Sequence, residues 1–277
     1  MSRSTGLHYD LSELDYHADK EWLSNSGIKM LLKPGGPARF QHWLNHGSNS
    51  HEPHFDEGHA AHAEVLGTGL EVVEVKAKDW KTKAAQEART QAYAEDKVPL
   101  LTSGVEMVRA MGEQIRRSPE AMALLEGGDP EVSGYVVDPA TWVQMRVRPD
   151  YLRKRADGLY DVVDYKTCVD ASPAAFAKAA ARYGYPIQEA TYRRALRVLG
   201  IKVVDFTFLA QEKTPPYLWS LHQNDLWDLK LAEDLVDRGI DIYAECVAAG
   251  EWPGYGTGIH IMRMSRWDRA DAEEALL

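Results

Sequence analysis

The sequence predicts a mixed α/β (α+β) fold, a central mixed sheet flanked by helices. Three observations carry this. Residues 131–166 read as strands joined by turns, amphipathic helical stretches lie on both sides, and two more strands return after the second helical block. With 277 residues, 44% of them hydrophobic, the chain can bury a sizeable core. It is too apolar to be disordered, and no run of about 18 uncharged apolar residues could cross a membrane.

The elements follow in order. Ser24 or Ser26 caps a first helix through Leu32, which Pro34-Gly35-Gly36 ends before helix resumes at Phe40–Leu44. Asn45 to Glu57 has loop composition, and Asp56 then caps a helix carrying His59, His62, Val65 and Leu66. Leu70–Val75 alternates as a short strand. Lys83–Glu95 and Ser103–Arg117 are amphipathic helices, the second capped by Thr102 or Ser103. In the middle, Glu131–Val137 and Trp142–Pro149 read as strands around an Asp138-Pro139 turn. Asp157-Gly158 is a hairpin turn into a third strand, Leu159–Lys166. Ser172-Pro173 opens a helical stretch to Leu199, broken at Tyr183-Gly184-Tyr185-Pro186. Val203–Ala210 and Tyr217–His222 are strands, and Asn224 or Asp225 caps a long helix to Ala249. All this reads as one domain over residues 1–277, with 1–20 a flexible N-terminal segment and 256–277 a C-terminal tail.

The net charge of −10 argues against a protein that coats nucleic acid by bulk charge. Its distribution is uneven. From Ala174 to Lys202 six basic residues face one acid, and Arg146, Arg148, Arg153, Lys154 and Arg155 surround Asp150, whereas Asn224–Glu251 holds eight acids against two bases. The acidity lies away from the basic stretch, an arrangement suited to an enzyme that grips phosphate locally. Cys168 and Cys246 cannot make a disulfide framework, a four-cysteine zinc site or an iron–sulfur cluster. The polar Met1–Tyr16 stretch is no secretory signal, so a reducing cytoplasm is the expected setting.

Three groups of residues bear on chemistry. The first is Arg148-Pro149-Asp150, followed fourteen residues after Asp150 by Asp164-Tyr165-Lys166. Strand alternation puts Asp164 and Lys166 on one face, and a hairpin can bring Asp150 beside them. Two converging carboxylates near a lysine form an oxygen site for Mg²⁺ or Mn²⁺, which relieves their repulsion. Asp-x-Lys alone is commonly solvent-facing decoration. The second is a run of six histidines (His42, His46, His51, His54, His59, His62), which could bind zinc but has no nearby cysteine to complete a set. The third is Gln188 and Tyr192, at i, i+4 on one helix face among Arg182, Arg193, Arg194 and Arg197. They could hold a DNA backbone or simply form a basic helix face.

In order, Gly58-x-x-x-His62, Glu131, Arg148-Pro149-Asp150, Asp164-x-Lys166 and Gln188-x-x-x-Tyr192 resemble the PD-(D/E)XK nuclease superfamily, with its restriction-endonuclease-like core. The resemblance is strongest to the RecE-type (exonuclease VIII-like) phage and prophage exonucleases and runs from about His17 to Tyr255. It implies Asp150 and Asp164 as central metal ligands, with the Tyr165 backbone carbonyl a third and Lys166 positioning the attacking water. It implies His62 as the upstream ligand, with His59 second, and Glu131 in the metal–water network. Gln188 and Tyr192 would support the site and contact DNA, alongside Arg148, Arg182 and Arg193. Asp164 stands where many superfamily members carry Glu. The iron–sulfur cluster of some relatives is excluded by the cysteine count.

The function implied is a Mg²⁺- or Mn²⁺-dependent exonuclease acting on linear double-stranded DNA ends, 5′-to-3′, in recombination or DNA processing, in the cytoplasm, that of a bacterial host if the protein is phage-encoded. A homo-oligomer and a single-strand annealing recombinase partner are implied with it, and no membrane association. The alternatives are a non-catalytic DNA-end-binding recombination scaffold and a histidine-rich metalloprotein dependent on His51 or His54.

Overall fold

The computed structural model describes residues 3–47 and 53–276. Strand β1 (Gly6–His8) and helix α1 (Glu13–Ala18) open the chain, and the Ser12 hydroxyl caps α1 by accepting from the Asp15 N–H. Then come β2 (Leu23–Ser24), α2 (Asn25–Leu31, capped by Ser24) and α3 (Gly36–His46). Next are α4 (Pro53–Leu66), β3 (Val72–Val75), α5 (Lys83–Ala94, capped by Thr82), β4 (Val98–Leu101), α6 (Thr102–Arg116) and α7 (Pro119–Leu124). The strand-rich middle holds β5 (Gly128–Pro130), β6 (Ser133–Val137), β7 (Gln144–Val147), β8 (Tyr151–Lys154) and β9 (Tyr160–Cys168). It is followed by α8 (Pro173–Tyr183), α9 (Tyr185–Val198), β10 (Val203–Glu212), β11 (Trp219–His222), α10 (Leu226–Ala249, capped by Asp225) and α11 (Arg266–Glu274).

The strands form two mixed sheets and a small parallel pair, β3-β4. One sheet runs β1-β6-β7-β2 and the other β11-β10-β9-β8-β5. In the second, β8 and β9 pair antiparallel as a hairpin, whereas β9 and β10 run parallel because α8 and α9 make the crossover. The chain passes from the first sheet to the second between Val147 and Tyr151. Arg148-Pro149-Asp150 is thus a corner, and proline suits it because it has no N–H to offer a ladder.

Strand alternation splits the core into two layers across the five-stranded sheet. Val162, Phe206, Phe208 and Ala210 pack on one face with α2, α9 and α10, through Ile28, Leu196 and Val236. Val163, Tyr165 and Leu209 pack on the other with α4 and α6, through Ala61, Met111 and Ile115. Asp164 and Lys166 share the parity of Val162 and emerge toward α9, while Tyr165 between them anchors the opposite face. A third cluster, Tyr16, Trp22 and Tyr135, fastens α1 to β6.

Several boundaries differ from those the sequence suggests. The N-terminal segment expected to be flexible contains β1, registered Gly6↔Tyr135 to His8↔Ser133, and the buried Tyr16. The loop-like Asn45–Glu57 stretch already contains the first turn of α4. Strand β8 directly follows Asp150, so the Asp157-Gly158 turn joins β8 to β9. Residues 266–274 of the expected tail form α11, with no buried residue. Among the described residues, no helix is long and apolar enough to cross a membrane.

Candidate metal centre and its cleft

Four pieces of the fold converge on one cleft of about 990 Å³: α1, α4, the corner at Asp150 with the end of β9, and the α8–α9 junction. Asp150 lies where the chain changes sheets, and its Oδ2 accepts the Tyr165 N–H at 2.8 Å. That bond fixes the carboxylate against β9. His62, on the inward face of α4, brings Nδ1 to 3.6 Å from the same oxygen. Glu131 precedes β6 with a positive φ of 55°, and its N–H donates to the Asp150 carbonyl at 2.9 Å. A non-glycine residue in this left-handed region costs energy, as is common at functional sites. One ligand atom each from His62, Glu131 and Asp150 falls within a mutual distance of 4.8 Å.

The protonation states suit a cation. Burial, then the neighbouring Asp164 and Glu131 carboxylates, holds the Asp150 carboxyl well above the usual carboxylate range. Burial likewise raises Glu131, although the Arg148 guanidinium pulls the other way. Burial, reinforced by Lys166 and His59, pushes the His62 imidazole down to about 3, so it stays neutral with a lone pair to offer. Crowded carboxylates and a neutral imidazole are donors that Mg²⁺ or Mn²⁺ accepts. Buried Asp164 adds a further carboxylate beside these donors, its Oδ1 paired with Lys166.

Asp164 is fully buried, and Gln188 Nε2 donates to its Oδ2 at 2.5 Å. Its Oδ1 forms an ion pair with Lys166 Nζ. Burial would lower the lysine, but Asp164 and Asp150 outweigh it and hold the ammonium protonated. Asp164 therefore stands beside the His62–Glu131–Asp150 triplet, with both oxygens facing side chains of this chain. The Tyr165 main chain is hydrogen-bonded to His62, which places that peptide at the same centre. Gln188 also hydrogen-bonds the buried Tyr192 hydroxyl. Of the two roles expected of these residues, support of the site is visible in these bonds, and Tyr192 also lines the cleft.

Two arginines expected at the DNA have partners within the fold, Arg148 in the wall of the cleft and Arg193 against β10. Arg148 donates to Glu131 Oε2 at 2.5 Å, to Ser133 Oγ at 2.6 Å and to the Leu11 carbonyl at 3.0 Å. Its side chain is only 9% exposed, so it ties Glu131 to the N-terminal strap. Arg193 donates to Glu189 Oε1 and to the carbonyls of Val203 and Val204, turned toward β10. Arg194, counted in the basic stretch, pairs with Asp138 and Asp237. Arg182 does line the cleft, exposed, with Lys178 one turn earlier. Among the described residues neither has an ion-pair partner.

Other cleft residues were not singled out by sequence. Glu13 accepts from His59 Nδ1 at 3.0 Å, and His17 stands 4.0 Å from the same carboxylate. Burial alone would raise Glu13, but the bond from His59 brings its carboxyl below the ordinary value and raises His59 in return. His59 thus faces α1 and His62 the triplet, which separates two histidines that share a helix face. Lys29 of α2 reaches the cleft and donates to the Tyr183 carbonyl at 3.1 Å. Burial and then Lys166 bring it down to about 8. No local pattern marks Glu13 or Lys29; only the packing of α1 and α2 brings them here. His51 and the side chain of His54 lie outside the described residues. Cys168 borders the cleft, but burial pushes its thiol up to about 11, too high for a ready nucleophile.

Comparison with known proteins bears on this geometry. A model of a PDDEXK-like domain of unknown function (DUF3799) matches residues 24–265. The chain belongs to this PDDEXK-like family. The match starts at the cap of α2 and includes His62, Glu131, Asp150, Asp164, Lys166 and Gln188, while β1, α1 and α11 lie outside it. Among solved structures, this PDDEXK-like domain is similar to a candidate exonuclease of Eubacterium rectale. The TM-score is 0.61 at 15% identity, over 95% of this chain and 98% of the other. At that identity the likeness speaks for the fold. A structure of SSO0001, 12% identical over 68% of this chain and 85% of that one, has a TM-score of 0.27 and carries no argument. No curated protein matches.

Proposed function

We propose that this PDDEXK-like domain is a divalent-metal-dependent deoxyribonuclease that hydrolyses phosphodiester bonds from the ends of linear double-stranded DNA. The observation that carries this is one cleft holding His62, Glu131 and Asp150 within 4.8 Å of one another, with Lys166 beside Asp164 on the adjoining strand. Paired carboxylates with a charged lysine are equipment for water attack on a phosphodiester. The nuclease-type family and the E. rectale neighbour's assignment as an exonuclease point the same way.

In this reading His62, Glu131 and Asp150 hold Mg²⁺ or Mn²⁺, with Asp164 and the Tyr165 carbonyl at its edge. Such an ion supplies Lewis acidity at a phosphate oxygen and lowers the pKa of water. Lys166, kept protonated by two carboxylates, holds the attacking water by hydrogen bonding and offsets the negative charge that grows on the phosphoryl oxygens. Gln188 and Tyr192 keep Asp164 from rotating away. Arg182, Lys178 and Lys29 line the path of the strand and attract its phosphates. Digestion in the 5′-to-3′ direction, a homo-oligomer and a single-strand annealing recombinase partner belong to the same reading, through the RecE-type resemblance.

The test is digestion of end-labelled linear duplex with blunt, 5′-overhanging and 3′-overhanging ends, with circular duplex as control, in Mg²⁺ or Mn²⁺. Loss of label from linear substrates, abolished by Asp164→Ala and by Lys166→Ala, is expected. No digestion, or digestion that both variants retain, would overturn the assignment.

A further inference from the structure

The α8–α9 junction presents an aromatic feature that metal chemistry does not use. Gly184, at φ 67°, ends α8 and starts α9, a left-handed position that suits glycine. A Cβ there would also stand 3.0 Å from Lys29 Cδ. The break separates two tyrosines that would otherwise point in different directions around one continuous helix. In the fold they stack, with ring centroids 6.1 Å apart and planes 27° apart. Tyr185 stacks in turn on Phe208 of β10, at 5.3 Å and 20°. The column Phe208–Tyr185–Tyr183 therefore rises out of the hydrophobic core and ends at Tyr183, which is 55% exposed.

A lone exposed tyrosine is ordinary on a protein surface. Tyr183 differs in what surrounds it. It lines the same cleft as the metal centre, and Lys166 Nζ stands 5.4 Å from the centroid of its neighbour Tyr185. The ring is thus one stacking step and one cation–π contact from the lysine beside Asp164. Cations flank it: the Arg182 guanidinium lies 5.6 Å from its centroid, and Lys29 donates to its carbonyl. A π-surface braced from behind and bordered by positive charge matches one ligand chemistry, a nucleobase with its phosphates alongside. A duplex buries its base faces against one another everywhere but at its two ends, so the base that such a surface suits is an unpaired or frayed one.

We propose that Tyr183 is a stacking platform for an unpaired nucleobase next to the scissile phosphate, so that the cleft takes single-stranded or frayed ends rather than closed duplex. This rests on the reading of the cleft as a nucleic-acid site. Tyr185 and Phe208 are positioning residues that keep the platform rigid. Arg182 follows the phosphate and keeps its contact with the ring.

The experiment is fluorescence anisotropy in Ca²⁺ with a short labelled single strand, the same strand bearing abasic sites, and a closed hairpin duplex. The full chain is compared with Tyr183→Phe and Tyr183→Ala, and circular dichroism verifies the fold. The wild type is expected to bind the base-bearing strand about tenfold more tightly than the abasic one. Tyr183→Phe keeps that ratio. Tyr183→Ala brings it close to one while leaving abasic binding unchanged. Equal binding of both strands by the wild type, or an unchanged ratio in Tyr183→Ala, overturns the platform but leaves a phosphate-binding nuclease cleft standing. Absence of binding to all three probes overturns the platform and the nucleic-acid reading beneath it.

Discussion

Gln188 donates its side-chain amide to Asp164 Oδ2 at 2.5 Å, joining α9 to the buried carboxylate at the centre of β9. The same amide group hydrogen-bonds Tyr192 one turn later, so Asp164 is held by a two-residue brace. A buried carboxylate that loses a partner carries the full cost of its desolvation, about 1–3 kcal/mol or more. Gln188→Leu is therefore expected to lower the turnover number roughly 10- to 100-fold with little change in binding of an oligonucleotide. Gln188→Glu should be worse, because it sets a third carboxylate against Asp164. Steady-state kinetics resolve the two: an effect on KM alone would assign Gln188 to substrate contact instead.

How much of this was legible in the sequence depends on the range of the interaction. The β8–β9 turn, the Gly184 break and the Asp225 cap are set by residues within a few positions of one another, and they stand where local chemistry puts them. Asp164 and Lys166 share a face by alternation alone. Partners at long range were not legible. The arginine-rich appearance of α9 hides that Arg193 turns to the β10 carbonyls and Arg194 to Asp138 and Asp237. Strand β1, three residues long, exists only because β6 receives it. Glu13, more than a hundred residues from Glu131, enters the cleft because Tyr16 packs against Tyr135.

Asp150 gives a pH dependence with a definite sign. Its carboxyl holds a proton to higher pH in the fold than in the unfolded chain, through burial and then the neighbouring carboxylates. The folded state therefore binds more protons between the two pKa values, and stability falls as pH rises through that interval. Asp150→Asn keeps an oxygen to accept the Tyr165 N–H and removes the charge. In EDTA at pH 7 the variant should melt at a higher temperature than wild type, with the gap closing below about pH 4. Mn²⁺ should then raise the melting temperature of wild type but not of the variant. A variant less stable than wild type at pH 7 without metal would contradict this account.

His62 and His59 are one helical turn apart yet face different partners, Asp150 and Glu13. His62→Ala should weaken Mn²⁺ binding about 10- to 100-fold, the range seen when the shell of a metal site is damaged. His59→Ala should leave that affinity within a fewfold and instead loosen α1. Because the His62 imidazole is pushed down to about 3, its protonation should not set an acid limb of Mn²⁺ binding between pH 5 and 8. Calorimetric titration over that range checks both statements. Equal losses in the two variants would place both histidines at the ion.

The two kinds of arginine around the cleft should separate by salt dependence. Arg148 holds Glu131, Ser133 and the Leu11 carbonyl from a largely buried position. Removing one partner of a buried ion pair costs about 3–5 kcal/mol, because the other charge is left without compensation. Arg148→Ala should therefore lower the melting temperature markedly, while the slope of log affinity against log salt for a DNA strand stays as in wild type. Arg182 is exposed, without an ion-pair partner among the described residues, and stands over Tyr183 at the rim. Its replacement by alanine should leave the melting temperature unchanged and reduce the salt slope by about 1, the signature of one lost phosphate contact. Thermal melts and anisotropy titrations at several salt concentrations measure both quantities on the same variants. A reduced slope in Arg148→Ala with unchanged stability would return Arg148 to the DNA and leave Glu131 to be held by other means.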